Sequence, residues 1–320
     1  MLRLDRILAV VDPTSDVQPA VDKARLLAKR TGATLELFIC DFDPSLSGRP
    51  LFDTEQLKQL RVEFVNERME FLEGFADEVR AEGVTVETHV HWDNPVYRGV
   101  LRRVQESSPD LVVKDTHHHS ALRRVLLTNT DWSLIRTCPV PLLLAKPRDW
   151  SAQPRILAAL DPEHVGDQPA TLDHAILDAA ALLAKSLDGE LHAVHAFLSA
   201  ALLAAVTGAG ASAMAFPAGA SAGELVVRER ARIGAVLARI AAAHSLPAER
   251  IHVEQGAAAD VLQIVARSLS ADVLVMGAVS RSRLQELFVG STAERVLDRL
   301  ACDVLVVKQR EPQAADRQQA

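Results

Sequence analysis

The sequence predicts an α/β fold built twice: two tandem domains, each a parallel sheet covered by helices on both faces. Three observations predict it. The chain repeats itself: Arg6-Ile7-Leu8-Ala9-Val10-Val11-Asp12-Pro13 is answered by Arg155-Ile156-Leu157-Ala158-Ala159-Leu160-Asp161-Pro162. Asp110-Leu111-Val112-Val113-Lys114 is answered by Asp272-Val273-Leu274-Val275-Met276, and Thr128-Asn129-Thr130 by Gly290-Ser291-Thr292, both at a shift of 162 (272−110 and 290−128). The strand-like segments are continuous apolar runs, not alternations, which means burial on both faces and hence a parallel sheet under helices. Between these runs, apolar residues recur at helical spacing.

In the first half the runs at 7–11, 34–39, 84–90, 111–114 and 141–145 read as strands, and 17–30, 54–81 and 95–107 as helices. Val21, Ala24, Leu27 and Ala28 form one helical stripe; Leu57, Leu60, Phe64, Phe71 and Phe75 form another. In the second half strands are expected at 155–160, 191–196, 251–253, 273–276 and 304–307. Helices are expected at 168–187, 224–244, 258–270 and 292–300. The domains are accordingly 1–147 and 154–310, joined by a Pro-bearing linker and followed by a polar tail at 311–320.

A chain of 320 residues with 48% hydrophobic content has room for two buried cores. Its net charge of −7 offers no basic field for nucleic acid. The three cysteines, Cys40, Cys138 and Cys302, lack CxxC spacing, as in a reducing, cytoplasmic compartment. The uncharged stretch 197–223 exceeds the roughly 20 residues that cross a bilayer. Gly208, Gly210, Pro217 and Gly219 interrupt it, so it reads as a strand-to-helix loop and not as a membrane span.

The chemistry-bearing residues cluster in the second half. Gly277 follows a strand and would let a ligand approach the backbone. Gly290-Ser291-Thr292 directly precedes a helix, where free N–H groups, the helix dipole and two hydroxyls suit a phosphate. Asp161 ends the first strand and belongs to the crevice at the carboxyl ends of the strands. The plainer alternative is that Gly-Ser-Thr is a helix cap and Gly277 a turn. The first half has Lys114-Asp115-Thr116-His117-His118-His119 where the glycine loop would start. Thr128 remains a helix N-cap, so no nucleotide is expected there. Lys114 is expected instead to reach Asp12 on the neighbouring strand. Three consecutive histidines rarely converge on one metal, so they read as a polar loop and no metal site is expected. His89 and His91 alternate on one face of a strand beside Trp92 and read as packing. No nucleophile elbow, HExxH or P-loop occurs.

The spacing of Gly277, Gly290 and Ser291, with Ala293-Glu294-Arg295-Val296 and the closing Cys302-Asp303-Val304-Leu305-Val306-Val307-Lys308, is similar to the Gly-x2-Gly-x9-Gly-Ser/Thr signature of the universal stress protein family. With Thr128-Asn129-Thr130-Asp131-Trp132 and His89-Val90-His91-Trp92, the resemblance covers essentially the whole chain as two such domains. It implies a Rossmann-like five-stranded parallel sheet in order 3-2-1-4-5 per domain, and two domains packed as a pseudo-dimer with apolar last strands facing the opposite copy. It also implies ATP held in the second domain by Asp161, Val194, Gly277, Gly290, Ser291 and Thr292, with magnesium only as the nucleotide's companion. The sequence departs from the signature at Ser280, which replaces the second glycine, and at Arg283; Arg281 or Arg283 could contact the phosphates. The implied role is stress resistance by ligand sensing or by binding a protein partner, without turnover. The rival readings are a nucleotide-hydrolysing switch in the second domain and a carrier of a small apolar ligand walled by 198–223.

Overall fold

The computed structural model describes residues 3–47, 55–116, 118–119, 124–125, 127–162, 171–198, 222–277, 296–297 and 299–308. The chain divides into two compact units. One holds residues 1–150, 278–290 and 303–320; the other holds 151–277 and 291–302.

The first unit runs β1 (Arg6–Val10), α1 (Pro19–Thr31), β2 (Thr34–Asp41), α2 (Glu55–Ala81), β3 (Val86–Trp92), α3 (Val96–Ser107), β4 (Leu111–Asp115), a small ribbon β5 (His118–His119) and β6 (Arg124–Val125), α4 (Asn129–Thr137) and β7 (Leu142–Ala145). The order β3-β2-β1-β4-β7, parallel throughout, is the expected 3-2-1-4-5. Ile7, Leu8 and Ala9 of β1 are fully buried, as a central strand covered on both faces requires. Helix α1 begins at Pro19, where the missing N–H costs nothing, and stops at Gly32, whose φ of 74° suits glycine. Its stripe of Val21, Ala24, Leu27 and Ala28 is buried as the spacing predicts. Helix α2 differs from expectation. Leu72, Ala76 and Val79 are its buried residues, while Leu60 and Phe71 of the predicted stripe stand exposed.

The second unit runs β8 (Arg155–Ala159), α5 (Thr171–Ser186), β9 (Glu190–Phe197), α6 (Ala222–Ala241), β10 (Ile251–Gln255), α7 (Ala258–Ser268) and β11 (Val273–Gly277). Its parallel order β10-β9-β8-β11 repeats 3-2-1-4. The fifth strand of the second repeat, β12 (Asp303–Val307), belongs to the first unit. It lies antiparallel to β7, with Val304 opposite Leu144 and Val306 opposite Leu142. Strand β7 is wholly apolar and β12 is apolar after Asp303, and by pairing each satisfies the other's edge. Lys308, just beyond β12, donates to the carbonyls of Arg136 and Cys138 at the carboxyl end of α4, at 2.6 and 2.8 Å.

The repeated aspartates have a structural cause. The Asp110 carboxylate accepts the N–H groups of Asp5 and Arg6, and Asp272 accepts those of Ser151 and Arg155. Each carboxylate, just before the fourth strand of its repeat, ties down the start of the first strand. Among the described residues no helix is long and apolar enough to cross a membrane. Most of the loop expected at 198–223, namely 199–221, lies outside the described residues.

Candidate functional site

Of the six residues expected to hold a ligand in the second repeat, Asp161, Val194 and Gly277 are described; Gly290, Ser291 and Thr292 lie outside the described residues, as do Ser280, Arg281 and Arg283. Asp161 follows β8 and is exposed. Its N–H donates to Oδ1 of the buried Asp173 at 2.9 Å, which fixes the backbone at the mouth of the crevice. Gly277 closes β11. A Cβ there would meet Leu172 Cδ2 at 2.6 Å and Cγ at 3.0 Å, so this glycine makes room for the first turn of α5. Val194 is fully buried inside β9, and its carbonyl accepts the Leu160 N–H at 2.9 Å. The carboxyl end of β9 comes three residues later, at Phe197. Ala196 shares Val194's face and stands nearer the crevice, by the period of two along a strand. Beside it, His195 is buried, with Nδ1 2.9 Å from the Leu160 carbonyl. A carbonyl only accepts, so Nδ1 carries the hydrogen.

The first repeat differs at the equivalent place. Lys114 does not pair with Asp12, as the sequence had suggested. Asp12 Oδ1 accepts from the Thr14 N–H at 2.8 Å and the Thr14 hydroxyl at 2.6 Å. Lys114 Nζ lies 2.9 Å from Oδ1 of Asp131 and donates to the Asp115 carbonyl at 2.9 Å. Adjacent strand positions bring Lys114 near β1, as the Val10–Lys114 register shows, but the long side chain turns to the buried Asp131 carboxylate instead. Asp131 is fully buried. Its Oδ2 accepts from the N–H and hydroxyl of Thr128 at 2.7 and 2.9 Å, and its own N–H donates to the Thr128 hydroxyl, a complete capping box. The sequence reading recognised Thr128 as a cap and missed Asp131. The signal was present: Thr-x-x-Asp opens the helix, and at the shift of 162 both Lys114 and Asp131 are lost together, to Met276 and Ala293.

Of the two β3 histidines, His91 packs, while His89 is partly exposed with its Nε2 4.0 Å from Glu87. His91 lies edge-on to Phe38 with centroids 5.0 Å apart, its Nε2 3.7 Å from Glu106, and burial holds its pKa below the usual value. Trp92 packs tilted against Phe42, centroids 5.0 Å apart, beneath the Arg61 guanidinium. His118 and His119 lie in the β5–β6 ribbon, where a polar loop was expected; His117 lies outside the described residues. Among the described residues no group of three or more His, Cys, Asp or Glu converges as a metal site.

A second buried ion pair was not anticipated. Lys23 Nζ lies 2.7 Å from Asp303 Oδ2 and donates to the carbonyls of Lys146 and Arg148 at 2.7 and 2.8 Å. The Lys146 N–H and the Trp150 indole N–H both donate to the Asp303 carboxylate at 2.8 Å. Burial pushes the Asp303 carboxyl up from its ordinary pKa, against the pull of the ammonium.

Comparison with known proteins places this architecture. The model of the universal stress protein family matches residues 3–146 and again 154–308. Universal stress protein E of Salmonella typhi is 29% identical over 311 residues, 96% of this chain and 95% of that protein. A crystal structure of a functionally unknown protein from Pseudomonas aeruginosa PAO1 superposes with a TM-score of 0.70 at 26% identity, covering 96% of this chain and 93% of the other. A universal stress protein from Archaeoglobus fulgidus shares the fold at 16% identity, with a TM-score of 0.64 and coverage of 96% and 97%.

Proposed function

The chain belongs to the universal stress protein family across both halves, and from that premise we propose that it acts in the stress response by binding without turnover, taking an adenine nucleotide in the second repeat alone. The observation that carries this is the asymmetry at the helix that follows the fourth strand. In the first repeat that helix start is filled by the protein's own Asp131 and Lys114. In the second repeat the corresponding residues are Ala293 and Met276, and Thr128 is replaced by Gly290. The second repeat thus lacks both residues that supply the anion and its counter-ion in the first, and a helix N-terminus favours an external anion.

In this reading the N–H groups and hydroxyls of Gly290-Ser291-Thr292 hold the phosphates, and Arg281 or Arg283 adds charge where Ser280 replaces glycine. Asp161, exposed and with its backbone pinned by Asp173, offers a carboxylate to the ribose hydroxyls. Calorimetry with magnesium-ATP tests it. The intact chain should bind, and Gly290→Asp should not, because a carboxylate opposes the phosphates and a side chain blocks the backbone. Mass spectrometry of ligand extracted from the native protein separates the rivals: nucleotide supports the proposal, and an acyl or other apolar compound supports a carrier.

A further inference from the structure

The first unit contains a cleft of about 540 Å³ between helix α1, Glu82 just after α2, and residues 146–150 beyond β7. That volume lies in the range of small-molecule sites, and no residue expected to hold a nucleotide lines it. One wall is held in place from within. The buried Lys23 ammonium donates to the carbonyls of Lys146 and Arg148, and the Trp150 indole N–H donates to Asp303. Lys23 Nζ also stands 5.5 Å from the centroid of the Trp150 ring, so the indole is anchored at its N–H and at its ring. A wall already ordered spares a ligand the entropy of ordering it. Apolar surface lies open in the cleft: Val17 is 60% and Leu26 37% exposed, beside the exposed Pro147 and the half-buried Trp150.

The charges favour an anion. Five basic and three acidic residues line the cleft, and Asp303 takes up the charge of Lys23, which leaves one positive charge (5 − 3 − 1) in a chain whose net charge is −7. Arg25 and Lys29 share Glu82, each at 2.9 Å. Arg148 is exposed and makes no ion pair among the described residues. Its planar fork matches the two oxygens of a carboxylate, and the indole and proline rings match a flat aromatic body. A surplus of one charge suits a monoanion better than a phosphate dianion.

We propose that this cleft binds a small aromatic monocarboxylate, its ring against Leu26, Pro147 and Trp150 and its carboxylate on Arg148. The buried Lys23–Asp303 pair then serves the site by fixing the indole wall. The inference stands apart from the nucleotide reading, because every residue it uses lies in the first unit.

The test is a fluorine NMR titration of the full chain with 4-fluorophenylacetate, and with the uncharged 4-fluorophenylacetamide for comparison. The carboxylate should bind saturably with a Kd of about 1 mM or tighter, as a ligand of this size allows. The amide should bind about tenfold more weakly or worse, since it lacks the charge that Arg148 recognises. Arg148→Met should abolish the preference for the carboxylate over the amide. Leu26→Glu should weaken both probes about tenfold or more, by removing apolar wall and adding a repelling charge. Arg148 and Leu26 are both exposed, so neither change disturbs the core. Leu60→Glu, at an exposed position of α2 outside the cleft, should leave both affinities unchanged. No saturation up to about 20 mM, equal affinity for acid and amide, wild-type behaviour in either Arg148→Met or Leu26→Glu, or an equal loss in Leu60→Glu overturns the proposal. Gly290→Asp should bind the carboxylate as wild type does; loss there would put the probe in the second repeat and also overturn it. Failure of the wild-type chain to bind ATP would count against the nucleotide reading alone.

Discussion

Replacing Lys23 by Met should cost the protein a large part of its stability, because of what it leaves behind. Asp303 is 2% exposed, and its carboxylate would keep two N–H donors, from Lys146 and Trp150, and lose its only cation among the described residues. Breaking one side of such a pair costs about 3–5 kcal/mol, against a total stability on the order of 5–15 kcal/mol. Asp303→Leu, which strands the ammonium among two carbonyls, should cost a similar amount. Burial already drives the Asp303 pKa upward despite the ammonium, so desolvation outweighs attraction at this site. The double variant Lys23→Met, Asp303→Leu should therefore lose less than the sum of the singles by about 2 kcal/mol or more, since it strands no charge. The pH dependence has a definite sign. A carboxyl whose native pKa is raised favours the native state at low pH, and loses that advantage as pH rises through the native value. The Lys23→Met deficit should be greatest at neutral pH and shrink on acidification, as the stranded carboxyl protonates. Urea unfolding followed by circular dichroism measures all three variants. Single losses below about 1 kcal/mol that add without coupling would mean the pair behaves as a surface ion pair, and would refute the reasoning.

Two further outcomes are expected. Gly277→Ala should destabilise the second unit by about 1–3 kcal/mol through overpacking against Leu172, and Leu172→Ala should relieve part of the loss; a neutral Gly277→Ala would show that the glycine is not needed for packing. His192 and His252 lie with Nδ1 and Nε2 3.2 Å apart on neighbouring strands, and burial lowers both pKa values below the ordinary 6.5. Their contribution is complete above that value and is lost as pH falls towards the lowered ones, so the urea midpoint should fall on acidification below about pH 6.5, and His192→Gln should flatten the slope between pH 7 and 5.

The duplicated fold was legible because each signal rested on local periodicity. Ile7–Val10 and Arg155–Ala159 announced two-sided burial, and the shared shift announced the repeat. The parallel order of the first sheet followed from the family resemblance. The exposed first half of α2 escaped because a stripe at helical spacing does not say how far the sheet beneath it extends. The Lys23–Asp303 pair escaped because it is a long-range contact: no pattern in the sequence links Asp303 to Lys23, 280 residues earlier (303−23). At the site, type was easier to read than direction. Lys114 was recognised as the intruder in the first crevice, yet a lysine at a sheet edge can reach two carboxylates, and only the geometry shows that the capping aspartate holds it. Val194 was placed by analogy along β9, where it is fully buried three residues before the strand's carboxyl end at Phe197.

The central claim is that the two repeats, alike in fold, differ in what fills the helix start: an external anion in the second, the protein's own carboxylate in the first. Native mass spectrometry of the full chain with magnesium-ATP tests it most directly. The account predicts one nucleotide per chain in the wild type and none in Gly290→Asp. Two nucleotides per chain, or one that survives Gly290→Asp, would contradict it.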